Sequence, residues 1–295
     1  MQKREIPLQS WDCHVHVLDP ERFPYRQDRT YTPYPALLPD LVQATTSKGI
    51  VIAQASVEDG PECLLYHLKA AGQQFPEHTW RGSVISTTRE DRDVVLMPHA
   101  YLHDLHAAGV RSVRIQCGFG SFGSDQQKLQ DYVIALAQSH CVKSLGWNIS
   151  IQQSPKAWAS MAEFIERDKR VQHVCFVAEH NGSATPEVVG TPEFDALLAL
   201  RESGRLWMKI SALHRRSPGN INRMEEVVIR LVQARPDKAV FGSDWPHTNP
   251  AAQGAEPQPP LQGVDTNAEM EAVRTWIGNE IWQRMLTENP VRLYG

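Results

Sequence analysis

Eight short runs rich in β-branched residues, each followed by a stretch of helical spacing, constrain the fold of this chain most. The runs cover 9–17, 49–57, 80–86, 110–117, 144–152, 171–180, 206–211 and 239–245. Helical patterns follow over 61–73, 98–108, 125–139, 155–168, 192–202, 222–234 and 267–276. Within 125–139, Leu129, Tyr132, Val133, Leu136 and Ala137 recur at i, i+3, i+4, i+7 and i+8, along one helix face. Pro61, Pro98, Pro155 and Pro192 fit first turns, where a missing N–H costs little. Gly72, Gly109 and Gly204 fit helix ends. Eight β-then-α units without a break in composition predict an α/β fold, a single (β/α)8 TIM barrel domain over residues 1–295. A doubly wound open sheet would carry a glycine-rich phosphate loop after its first strand. Here that strand runs into His14-Val15-His16-Val17-Leu18-Asp19-Pro20 instead.

Two connections lack helical periodicity, 18–35 and 247–266. They follow strands one and eight, which are neighbours in a closed barrel, so both lie at the C-terminal mouth where barrel sites are built. The first, rich in Pro, Arg and Tyr, reads as a lid, whereas 251–262 reads as a floppy, low-complexity stretch.

Strand parity names the residues that turn inward, because side chains at i and i+2 share a face. Asp12, His14 and His16 are expected to share one, with Cys13 pointing away from the two histidines. Ser112, Arg114 and Gln116 face the lumen from strand four, and Asn148, Ser150 and Gln152 from strand five. Lys209 and Ser211 share a face of strand seven, and strand eight ends in Asp244. Barrel interiors are normally filled by branched apolar side chains. A buried polar group left unpaired costs roughly 1–3 kcal/mol, so many convergent polar groups imply a ligand that satisfies them. That favours an enzyme over a binding or structural module. Blander readings stand beside it. Glu179 has parity opposite to His180 and can face the helices, Lys209 can snorkel at a strand end, and Arg215-Arg216 can be a solvated pair. His67, His78, His99, His103, His106 and His140 read as surface or packing residues.

Thirty Lys and Arg stand against 34 Asp and Glu, a net charge of −4, so there is no basic footprint for nucleic acid or an anionic membrane. No run approaches the ~18 apolar residues of a membrane span, and residues 1–7 contain no apolar signal-peptide core. The five cysteines are scattered and form no Cys-x-x-Cys pair, which argues against disulfides and structural zinc. Cys117 and Cys175 read as core residues. A cytoplasmic protein acting on a small molecule is expected, with its oligomeric state open.

Several motifs together resemble the amidohydrolase superfamily over nearly the whole chain. They are Asp12-x-His14-x-His16, Glu179-His180-Asn181-Gly182, Lys209-Ile210-Ser211-Ala212-Leu213, Phe241-Gly242-Ser243-Asp244-Trp245-Pro246-His247 and Glu288-Asn289-Pro290-Val291-Arg292-Leu293-Tyr294-Gly295. Asp19-Pro20-Glu21-Arg22-Phe23-Pro24-Tyr25 and Arg29-Thr30-Tyr31-Thr32-Pro33 look like the loop of its lactonase branch, the 2-pyrone-4,6-dicarboxylate lactonases and galactarolactone isomerases.

The resemblance implies a (β/α)8 barrel that hydrolyses a lactone or related cyclic ester. Asp244 would activate water, and His14, His16 and His180 would polarise the carbonyl. Tyr31 and Arg114 would bind substrate, joined by Gln152, Lys209, Arg215 and His247 around the mouth. The chain departs from the dicarboxylate lactonases at Gly120, where they carry a second arginine, and at Glu179, where the family usually has Asp. One carboxylate on the substrate, or an aromatic group against Phe119 and Phe122, then becomes the expectation.

Strand four offers Arg114, and strand five Asn148 and Gln152, in place of the bridging Lys or Glu and the His of two-metal members. The first expectation is that no metal is required. The alternative is one divalent ion, zinc or manganese, held by His14, His16, His180 and Asp244, in a metal-dependent decarboxylase or C–C hydrolase. A lactone isomerase and a catalytically dead binding protein complete the rivals.

Overall fold

The structure is a computed structural model that describes residues 9–87, 93–116 and 125–295. All eight expected strands form and pair in parallel in chain order. They are β1 Trp11–Val15, β2 Gly49–Ala53, β3 Thr79–Ile85, β4 Val110–Gln116, β5 Asn148–Gln152, β6 Phe176–Ala178, β7 Leu206–Ser211 and β8 Ala239–Gly242. The ring closes where Asp244 N donates to His14 O at 2.9 Å and His16 N donates to Trp245 O at 2.8 Å. Gly242 permits that approach, since a Cβ there would lie 2.6 Å from His14 Cβ.

The helices are α1 Leu38–Ala44, α2 Glu62–Gln74, α3 His99–Ala108, α4 Gln126–Gln138, α5 His140–Lys143, α6 Pro155–Arg167, α7 Pro192–Glu202, α8 Leu213–Arg216, α9 Glu225–Ala234, α10 Thr266–Ile277, α11 Asn279–Leu286 and α12 Glu288–Tyr294. Five of these were not expected from periodicity: α1, α5, α8, α11 and α12. The longest of the five has 8 residues, roughly two turns, too short for a 3.6-residue repeat to declare itself. Side-chain caps start others: Asp125, Ser154, Thr191 and Asp265 accept from the backbone N–H three residues on. Gly109 ends α3 with φ 116°, but Gly72 lies inside α2 rather than beyond its end. Among the described residues no helix is long and apolar enough to cross a membrane.

Val51, Val177, Trp207 and Val240 form one buried cluster with Trp11, Cys13 and Tyr294. Strands on opposite sides of a ring meet only inside it, so this cluster fills the N-terminal end of the barrel. Tyr294 of α12 plugs it, its carbonyl accepting from Arg81 Nε at 2.7 Å. Cys175 packs against the same cluster, as expected of a core residue.

The placement of Cys13 corrects the parity reading of β1. The register with β2 shifts between Asp12 and Val15, and such an irregularity resets the alternation of faces. Trp11 and Cys13 point inward before it, His14 and His16 after it. Asp12 no longer shares their face. It stays at the β1–β8 seam, where its Oδ1 accepts from Ser243 N at 2.9 Å and His14 N at 3.2 Å.

The two long connections hold each other over the mouth. Gln258 N donates to Thr32 O at 2.7 Å, Gly254 N to Thr30 O at 3.0 Å and Thr32 Oγ1 to Gly254 O at 2.9 Å. The stretch 251–262, expected to be floppy, is hydrogen-bonded to the lid at Gly254 and Gln258. The expected core position Cys117, and Gly120, Phe119 and Phe122, lie outside the described residues.

Candidate active site

His14 and His16 leave β1 toward the mouth, and the turn after β8 brings Asp244 to them. His16 Nε2 lies 3.7 Å and His14 Nε2 3.9 Å from Asp244 Oδ1. His180 follows β6 and sets its ring 4.5 Å from that of His14, tilted by 59°. Asp244 and His180 sit at the tight turns that end their strands, with φ 63° and 50°. Strained non-glycine backbone of this kind collects at functional sites. Asn181 holds the β6 turn in place, donating from Nδ2 to Ser211 O at 2.7 Å. Over these groups lies a cavity of about 360 Å3, lined by His16, His180, Asp244, Arg215, Arg216 and His214, with Tyr31 from the lid and Arg114 and Gln152 from β4 and β5.

Beneath the cavity the charges are tightly knotted. Glu179 faces the barrel interior, not the helices: Arg114 Nε donates to its Oε2 at 2.6 Å. Ser150 Oγ and Lys209 Nζ donate to Oε1 at 2.9 and 3.3 Å. Val177 fills the barrel interior, so the parity of β6 carries Glu179 inward with it, and the left-handed turn at His180 brings that ring to the same side. Burial alone would raise the Glu179 carboxyl, but the Arg114 and Lys209 cations hold it well below the usual carboxylate range.

Asp244 behaves likewise. Burial opposes its charge, yet Arg215, whose Nε donates to Oδ2 at 2.6 Å, holds it well below that range. Burial, with Lys209 and His180 nearby, lowers His14 well below an ordinary histidine, and burial lowers His180 to about 3. Both rings are neutral at pH 7.

Ring protons follow from the partners. His16 Nδ1 contacts Ala53 O at 2.6 Å, and a carbonyl only accepts, so the proton sits on Nδ1. In that tautomer His16 carries its lone pair on Nε2, the nitrogen that faces Asp244. His14 is the reverse. Its Nδ1 lies 3.4 Å from Lys209 Nζ, and an ammonium only donates, which leaves the proton on Nε2. That buried Nε2 has no hydrogen-bond partner among the described residues.

Three expected substrate contacts fall differently. Lys209 is fully buried beside His14 and Glu179 and is not among the residues lining the cavity. Arg114 lines the cavity but spends Nε on Glu179 and donates from Nη1 to Gln54 O at 3.0 Å. His247 also lies off the cavity lining, its Nε2 3.2 Å from Thr266 Oγ1 and its ring against His214. Gln152 and Tyr31 line the cavity as expected.

His214 and Arg216 were missed. His214 Nδ1 donates to Glu269 Oε1 at 2.9 Å, and Nε2 lies 3.8 Å from Asp244 Oδ2. Arg216 donates to Ser183 Oγ at 3.1 Å, while its buried Nε has no hydrogen-bond partner among the described residues. The available signal was position, since His214-Arg215-Arg216 directly follows a barrel strand at its C-terminal end.

Among the described residues, two groups have the donor types and spacing for a metal ion: His14 with Glu179 and His180, and His14 with His16 and Asp244. His14 belongs to both. Ligation needs a lone pair, which the Lys209 contact disfavours on His14 Nε2.

Comparison with known proteins gives the family and the fold. The chain is 27% identical over 312 residues to 2-pyrone-4,6-dicarboxylate hydrolase of Comamonas testosteroni, covering 98% of this chain and 91% of that protein. It is 25% identical over 298 residues to 4-sulfomuconolactone hydrolase of Hydrogenophaga intermedia, covering 98% and 90%. A Pseudomonas putida structure assigned as a 2-pyrone-4,6-dicarboxylic acid hydrolase shares the fold, with TM-score 0.70, 22% identity and 98% of each chain covered. The sequence profile of the family described as Amidohydrolase matches residues 11–295, and the chain belongs to that family.

Proposed function

We propose that this enzyme hydrolyses a small lactone that carries an anionic group, and that it does so without a resident metal ion. The reading rests on one observation above the rest. Asp244 Oδ1 faces His16 Nε2 at 3.7 Å beneath a cavity lined by Arg114, Arg215 and Arg216. It is supported by the relatives, whose names describe hydrolysis of a pyrone dicarboxylate and of a sulfomuconolactone.

Asp244 Oδ1 and His16 Nε2 are both acceptors and can take the two hydrogens of one water, orienting its oxygen at the lactone carbonyl. Asp244 accepts the proton as the C–O bond forms. His180 stabilises the oxyanion from the cavity wall, and His14 Nε2–H, buried behind it, adds to that field, as preorganised donors do. The tetrahedral intermediate collapses with cleavage of the ring C–O bond, and the proton on Asp244 passes to the departing oxygen. The product is the ring-opened hydroxy acid or its keto tautomer. Arg215 and Arg216 take the anionic substituent, and Tyr31 closes on the substrate from the lid.

A metal-dependent decarboxylase would instead need lone pairs on His14, His16 and His180 at once, which the Lys209 contact disfavours. The test is a panel of anionic lactones, followed by base consumption on ring opening. Asp244→Asn should lower kcat by about 100- to 10,000-fold, the usual worth of a general base, with the dissociation constant of a product analogue nearly unchanged. No turnover of any lactone, or an unaffected Asp244→Asn enzyme, overturns the reading.

A further inference from the structure

We infer that Lys209 is a positioning residue that fixes the proton of His14 on Nε2, and thereby keeps this centre a hydrogen-bonding site rather than a metal site. The argument starts from Glu179. Its two oxygens already accept from Arg114, Ser150 and Lys209, and its Oε1 stands 3.7 Å from His14 Nδ1, beyond hydrogen-bond reach. The carboxylate therefore does not draw a proton onto Nδ1. Lys209 Nζ is nearer, at 3.4 Å, and both side chains are fully buried. An ammonium has donors and no acceptor, so His14 Nδ1 is its acceptor and Nε2 carries the hydrogen.

In a ring that binds an ion through Nε2, the other nitrogen usually donates to a carboxylate or carbonyl. His16 has that arrangement through Ala53 O. His14 has a cation in that place. Lys209 thus reverses the second partner of one histidine in a cluster that otherwise has metal-ligating residue types at metal-ligating spacing. Replacing the ammonium by a methyl-terminated chain removes the donor, and Nδ1 becomes free to hold the proton. Nε2 then gains a lone pair facing Asp244 and His16.

The test uses the full chain labelled with 15N-histidine and long-range 1H–15N correlation spectra, with His14 assigned by its loss in His14→Gln. The unaltered protein is expected to show His14 as the Nε2–H tautomer, and Lys209→Met to move it toward Nδ1–H. In equilibrium dialysis against zinc chloride, Lys209→Met should take up one more equivalent per chain than the unaltered protein. Zinc on the exposed imidazoles His103 and His140, whose Nε2 atoms are 3.1 Å apart, is common to both and cancels. An Nδ1–H tautomer in the unaltered protein overturns the proposal, as does equal zinc uptake by the two. If Lys209→Met does not fold, the spectrum of the unaltered protein decides alone. The inference extends the lactonase reading, but the spectra need no substrate, so failure of one leaves the other standing.

Discussion

Arg215 Nε lies 2.6 Å from Asp244 Oδ2, so one oxygen of the candidate base is committed to an ion pair while the other faces the histidines. The same guanidinium donates from Nη2 to Thr248 Oγ1 at 3.1 Å, which fixes its direction. A base so paired is fully ionised at neutral pH but weak.

The pH dependence follows with a definite sign. Asp244 is held well below 3.8, with Arg215 the leading cause opposing burial. The ionised form is the active one, so the acid limb of kcat/KM lies below the pH of an ordinary aspartate. In Arg215→Gln, burial acts without the cation, the carboxyl rises, and the acid limb moves to higher pH. Profiles of kcat/KM from pH 4 to 8 check this; an acid limb that stays in place would remove Arg215 from control of the base.

Glu179→Gln should lower stability by about 3–5 kcal/mol, because Arg114 and Lys209 would be left buried without their countercharge. Urea unfolding at pH 7 measures it. Glu179 is depressed below its unfolded value near 4.5, so its stabilisation is present above pH 4.5 and is lost as pH falls toward the folded value. The deficit of the variant should therefore shrink below pH 4.5.

Gly242→Ala tests the seam. The added Cβ would meet His14 Cβ at 2.6 Å and His14 N at 2.9 Å, and neither atom is the end of a flexible side chain. Overpacking of this kind costs about 1–3 kcal/mol, and kcat should fall as His14 shifts. Stability and kcat equal to the parent's would mean that the seam has slack.

Prolonged dialysis against EDTA should leave kcat/KM within error of the untreated enzyme. Elemental analysis should show less than one equivalent of zinc or manganese that tracks with activity. Activity lost with the metal and restored by it would instead favour ligation by His14, His16, His180 and Asp244.

The sequence alone determined the ring. Alternation of β-branched runs with helical spacing is a local property, and β8 must return beside β1 in a closed barrel. The meeting of His14 and His16 with Asp244 was legible for that reason, as were Tyr31 and Gln152 at the mouth. The bulge in β1 was not, because it arises from pairing with β2 rather than from anything in Asp12-Cys13-His14-Val15. Nor was the knot beneath the cavity. Arg114 and Glu179 are 65 positions apart and Lys209 and His14 195 apart, and strand parity names a face, not a partner on it. Which cation neutralises Glu179, which nitrogen of His14 holds the proton, and that His214 joins Asp244 were decided only when distant strand ends came within hydrogen-bond range of each other.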